Sequence, residues 1–100
     1  MSKIDLSPRA LLQLKAAEEW WQENRSMAPD LFLNEVDNAL LRLAEHPCIG
    51  SPYPRPLHPN IRRVILKRTG YHIYYEYDES SDRIWIMDVW SAFRGEDPPL

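Results

Sequence analysis

Between residues 47 and 60 the chain carries Pro47, Pro52, Pro54, Pro56 and Pro59, five of its nine prolines, together with Gly50. Proline fixes φ and offers no backbone N–H, so neither a helix nor a central strand can run through such a stretch. Regular structure must therefore lie on either side of it. The two sides carry different periodicities, and that division bounds the fold.

On the N-terminal side the period is helical. Leu11, Leu14, Ala17 and Trp21 recur at steps of three, three and four, one face of a helix over about residues 8–24. Ser7 is placed to cap it and Pro8 to occupy its first position. Pro29 fits the first turn of a second helix, whose stripe is Phe32, Val36, Leu40 and Leu43. His46-Pro47 ends that helix, because proline disfavours helical geometry in the residue before it. The short link predicts an antiparallel helical hairpin. Ahead of it, Ser2 to Leu6 alternates polar and apolar residues as a short half-buried strand does.

On the C-terminal side the period is two. Ile61–Lys67, Tyr71–Tyr77 and Arg83–Trp90 read as strands, separated by a Thr69-Gly70 turn and by the polar stretch Asp78 to Asp82. Tyr71, Ile73, Tyr75 and Tyr77 share one side of the second of these. In the third, Trp85, Met87 and Val89 fall on one face, and Ile84, Ile86, Asp88 and Trp90 on the other. The order β-α-α-β-β-β predicts an α+β fold, an antiparallel sheet packed against an N-terminal helical hairpin. A chain of 100 residues holds one such domain, residues 1–100.

A net charge of −3 conceals an uneven distribution. Residues 46–75 contain Arg55, Arg62, Arg63, Lys67 and Arg68 and no acid, while the segments before and after are acidic. An acid-free stretch of this length fits either an anionic partner or a solubilised surface. The lone Cys48 precludes an internal disulfide, and no run approaches the roughly 18 apolar residues of a membrane span. Asp5 interrupts what would be the apolar part of a signal peptide, so a cytoplasmic protein is expected. The histidines lack metal-ligand spacing; no metal and no cofactor are expected.

The strings Ile61-Arg62-Arg63-Val64-Ile65-Leu66-Lys67-Arg68, Tyr71-His72-Ile73-Tyr74-Tyr75 and Ile84-Trp85-Ile86-Met87-Asp88-Val89-Trp90, followed by Arg94, resemble the sheet half of RelE/ParE toxins. Ala10, Leu14, Phe32, Val36, Leu43, Pro47 and Gly50 resemble the helical half. The resemblance covers nearly the whole chain and rests on order and spacing. It implies the toxin of a type II toxin–antitoxin system, neutralised by a cognate, ParD-like antitoxin in a hetero-oligomer, with DNA met only through the antitoxin. RelE-like members are ribosome-dependent mRNA endoribonucleases; ParE-like members poison DNA gyrase by protein–protein contact.

Residue chemistry favours the ParE-like, non-enzymatic branch. Cleavage of RNA needs a general base, a general acid and cationic clamps held together. Where many relatives have a histidine after the last strand this chain has Ser91, no lysine or tyrosine follows Tyr77, and the tail Gly95 to Leu100 is acidic. A sequence pI near 5.5 is opposite to what phosphate binding asks. No catalytic residue is assigned on this branch; in a ribonuclease the candidates are Arg62, Arg63, Arg94 and His72. A decayed toxin that retains only antitoxin binding is a third reading.

For contact with target or antitoxin the candidates are Arg62, Arg63, Lys67, Arg94 and Trp20. Adjacent strand residues point to opposite faces, so one of Arg62 and Arg63 would contact an acidic patch on the target or antitoxin, or instead pair with an acid such as Asp88. Arg94 could alternatively lay its stem over Trp90 or Phe93. Trp21 continues the helical stripe, which leaves Trp20 at the rim, either as an anchor for a partner chain or packed under the proline-rich loop. The aromatics Tyr71, Tyr74, Tyr75, Tyr77, Trp85 and Trp90 are expected to be strand core more than a base-stacking platform.

Overall fold

The computed structural model describes residues 1–100. Strand β1 (Lys3–Leu6) leads into helices α1 (Pro8–Asn24) and α2 (Leu31–Glu45), then β2 (Ser51–Pro52), β3 (Arg62–Leu66), β4 (Tyr71–Asp78) and β5 (Arg83–Ser91), with a 3-10 turn at Ala92–Arg94. The α+β layout of the sequence reading stands. Its helices lie where the periodicity put them, and Ser7 caps α1 by accepting the Ala10 N–H at 2.9 Å, with Pro8 first in the helix. Pro29 lies outside α2, two residues before Leu31: the N-cap is Asp30, whose carbonyl accepts the Asn34 N–H.

The sheet has five strands in the order β1-β5-β4-β3-β2. It is antiparallel from β2 to β5, but β1 joins β5 in parallel, from Lys3 opposite Arg83 to Leu6 opposite Ile86. The expected wholly antiparallel sheet is thus a mixed one. Strand β2 falls within the stretch read as a loop. Two residues suffice there, because Ser51 pairs with Arg63 and Pro52 with Arg62 at the sheet edge, where proline's missing N–H does no harm.

The expected alternation in β5 fails at one point. Tyr75 pairs with Ile86 and Tyr74 with Asp88, so Met87 is an extra residue on β5. Such a bulge shifts the side-chain phase by one. Ile84, Ile86 and Val89 therefore all face the helices, while Met87 and Trp90 face away, correcting the assignment that put Val89 with Met87.

The helix-side core joins Ala10, Ala17 and Trp21 of α1 and Phe32, Val36, Ala39 and Leu43 of α2 to Val64, Leu66, Ile73, Tyr75, Ile84, Ile86 and Val89. Leu11 is largely solvent-exposed; the buried stripe of α1 begins at Ala10, and Leu14 packs against the core from its margin. Phe32 meets Tyr71 edge-on at 4.8 Å. On the far side of the sheet a smaller cluster, Ile61, Tyr74, Met87 and Trp90, is covered by Tyr53 and by Leu100. The turn after α2 is held by Tyr75, whose hydroxyl donates to the Pro47 carbonyl at 2.7 Å and accepts from the Gly50 N–H at 2.9 Å. No helix is long and apolar enough to cross a membrane.

Candidate functional site on the open face of the sheet

The pleat of β3 separates the two adjacent arginines as expected. Arg62 lies on the helix side with Tyr75, and its guanidinium donates to the carbonyls of Gly50 (2.7 Å) and Cys48 (3.1 Å). It secures the turn into the proline-rich stretch. Arg63 lies opposite Tyr74, on the face away from the helices. Neither pairs with Asp88. That carboxylate turns toward α1 at the bulge, accepting from Gln13 Nε2 at 2.7 Å and approaching Arg9 Nε at 3.5 Å.

Around Arg63 the open face gathers the groups with most chemistry. The Arg63 guanidinium carbon is 5.0 Å from the Tyr53 ring centre, and Arg55 stacks on the same ring at 3.6 Å. Tyr53 in turn leans on Tyr74, with centroids 5.0 Å apart. The Tyr74 hydroxyl is 3.3 Å from His72 Nδ1. Arg63 Nε is buried and has no acceptor. A half-buried guanidinium with one free buried donor is suited to an anion.

This environment shifts both titratable neighbours. Burial, assisted by the Arg63 charge, lowers the His72 pKa below its usual value and favours neutral imidazole. Burial raises the Tyr74 phenol, while the adjacent Arg63 pulls the other way. A neutral imidazole, a protonated phenol and a guanidinium thus stand side by side.

The remaining candidates are elsewhere. Arg94 stacks on Trp90 at 4.3 Å. Lys67 is exposed just beyond β3. Trp20 is 44% exposed at the C-terminal end of α1, while Trp21 is buried, as the helical phase requires. Of the sequence candidates, the fold brings Arg63 beside His72 on this face and beside Lys67 in a groove at the β3 edge. Tyr53 and Arg55 were not anticipated; their signal was an aromatic and a cation between prolines in the acid-free stretch. Tyr74 was expected as core, and it is buried, yet its hydroxyl is the polar partner of His72.

Across the same face runs the acidic C-terminal segment. The Trp90 indole donates to the Glu96 carbonyl at 3.0 Å, Pro98 is buried, and Leu100 rests on the Tyr74–Met87–Trp90 cluster. Arg9 reaches the Pro99 carbonyl at 3.3 Å from the start of α1.

This combination of helical hairpin and twisted five-stranded sheet is the fold of the bacterial RelE and ParE toxins. The chain resembles the structure of the intact E. coli RelBE toxin–antitoxin complex at a TM-score of 0.62 and 20% identity, covering 94% of this chain and 100% of that one. It resembles the chromosomal ParDE system of P. aeruginosa at 0.63 and 16%, covering 91% and 96%. For RelBE2 of Mycobacterium tuberculosis the values are 0.63 and 19%, covering 90% and 96%. A comparison with curated protein sequences finds no match. A family model described as "ParE toxin of type II toxin-antitoxin system, parDE" matches residues 4–94. The chain belongs to that family, and is a type II toxin of the RelE/ParE superfamily.

Proposed function

We propose that this protein is a ParE-like toxin that disables DNA gyrase by protein–protein contact and is held inactive in the cytoplasm by a cognate antitoxin. The observation that carries the choice of branch is the C-terminal segment. The segment that carries Glu96 and Asp97 is anchored over the sheet face on which a phosphate backbone would have to rest, through the Glu96 carbonyl and Leu100, and the net charge of −3 adds to the repulsion. A protein surface has no such uniform charge and tolerates this arrangement.

The open edge of β3 supports the antitoxin. Past Arg63 that edge has no partner strand, and a groove of about 520 Å³ beside it is lined by Arg42, His46, Ile49, Arg63, Ile65 and Lys67, with no acid among its lining residues. An unpaired edge is a template for an added strand, and these cations select an acidic one.

The cluster around Arg63 favours one second reading, an endoribonuclease. His72 would serve as base, Tyr74 as acid, and Arg63 as the phosphate clamp.

One experiment separates the two: purified protein added to a gyrase supercoiling reaction and, in parallel, to translating ribosomes with labelled mRNA. Inhibited supercoiling with intact mRNA is the expected outcome. Codon-phased cleavage abolished by Arg63→Ala would replace the first reading by the second.

A further inference from the structure

A cleft of about 570 Å³ opens where the C-terminal end of α1 meets the β3–β4 turn and the 3-10 turn after β5. Its aromatic lining includes Trp20, Tyr71 and Phe93, and its cations are Arg25 and Arg68. No carboxylate lines it.

These groups are held in place. Arg25 stands 5.2 Å over the Trp20 ring, and the indole of neighbouring Trp21 donates to the Ala28 carbonyl at 2.7 Å. Phe93 is 83% exposed, yet its ring lies against Gly70, where an added Cβ would come within 2.3 Å of it. The Ser91 hydroxyl accepts the Phe93 N–H, fixing the turn that presents the ring. An aromatic fixed in an exposed position loses little freedom on binding, and Trp, Tyr and Arg dominate the binding energy of protein interfaces.

Neither arginine is in a salt bridge. The ion pairs of the fold are Arg9–Asp88, His58–Glu76 and Arg83–Asp5, and none involves Arg25 or Arg68. Glu35 approaches Arg68, but both its oxygens are taken by the backbone N–H groups of Arg68 and Thr69 and by the Thr69 hydroxyl.

We propose that this cleft docks a short acidic segment of a partner protein, one large apolar side chain entering between Trp20 and Phe93 while flanking carboxylates pair with Arg25 and Arg68. Two carboxylates match two cations. A nucleic acid, charged at every nucleotide, would bring more negative charge past the exposed Glu19 and Glu23 beside Trp20 than a segment with two carboxylates does. The proposal stands apart from the choice between gyrase and mRNA, since it uses neither the open face nor the β3 edge.

The test follows the four tryptophan indole N–H signals of the whole protein by NMR as a blocked peptide, Ser-Asp-Leu-Phe-Asp-Ser, is added. The expected result is a saturable shift of the Trp20 signal with Trp85 unmoved. Binding should fall about tenfold or more, the loss of a charge-assisted contact, when lysines replace the acids or when Arg25→Ala or Arg68→Ala is introduced. Both arginines are exposed, so the variants keep the fold, which unchanged remaining signals verify. An alanine pair replacing Leu-Phe should weaken binding as much. A Trp20 signal unmoved at several millimolar peptide, equal binding of the lysine peptide, or tighter binding of an oligouridine would each overturn the proposal.

Discussion

Replacing Tyr75 by Phe removes one oxygen atom that links the helical and sheet halves of the chain. That hydroxyl is wholly buried and serves the Pro47 carbonyl at 2.7 Å and the Gly50 N–H at 2.9 Å. The two losses differ. Pro47 is partly exposed, so water can replace the phenol at its carbonyl; Gly50 is buried, and its N–H is left without an acceptor. An orphaned buried donor costs about 1–3 kcal/mol. For a domain of this size that lowers Tm by at least about 4 °C. Urea denaturation followed by circular dichroism should show a reduced midpoint at unchanged slope. Tyr74→Phe is the internal comparison. Its hydroxyl contacts His72 at 3.3 Å with Arg63 and Tyr53 beside it, and its loss leaves no buried backbone group orphaned, so the change should cost less than Tyr75→Phe. Because Arg62 grips the Gly50 carbonyl of the same turn, Tyr75→Phe and Arg62→Ala should be non-additive. A Tyr75→Phe loss below about 0.5 kcal/mol would refute this accounting and assign the turn to Arg62 alone.

Three further outcomes are expected. Glu35→Ala strips the β3–β4 turn of three hydrogen bonds, at 2.7, 2.8 and 3.0 Å, and should destabilise by about 1–3 kcal/mol in the same urea assay. Asp88 is fully buried with one oxygen unpartnered; Asp88→Asn keeps an acceptor for Gln13 and removes the charge, so it should change stability by no more than about 1 kcal/mol, whereas Asp88→Ala should lose about 1–3 kcal/mol. His72 has a folded pKa below its unfolded value, so its contribution is fully present above about pH 6.5 and is lost as pH falls from there through the folded pKa. His72→Gln should flatten the stability profile in that window, and an unchanged profile would remove His72 from the titrating groups.

The helices were legible because burial alone decides their faces: the spacing of Phe32, Val36 and Leu43 survives into the core unchanged. Leu11 misled because Ala10, too small to stand out in a hydrophobic pattern, takes the buried position where α1 lies close to the sheet. The strands were legible as segments but not in phase, since nothing in Ile86-Met87-Asp88 marks a bulge. The parallel seating of β1 could not be read at all: a four-residue alternation carries no information about direction. The site was half legible. Arg63 and His72 stood out by residue type, whereas Tyr53 and Arg55 reach them only because the proline-rich stretch folds back over the sheet.

The parallel pairing of β1 with β5 has a consequence for how the protein is made. Lys3 meets Arg83, and Ser2 bonds to Asp82, across eighty positions of chain. During synthesis the first strand emerges with no edge to join, and the two helices with no sheet to cover. The central strand β5 is the last to be made, and until it has left the ribosome both β1 and β4 lack a neighbour on that side. Contacts of such long range close late. The face built from β1, β5 and β4 therefore first exists once β5 has been made, and no earlier length of the nascent chain can present it.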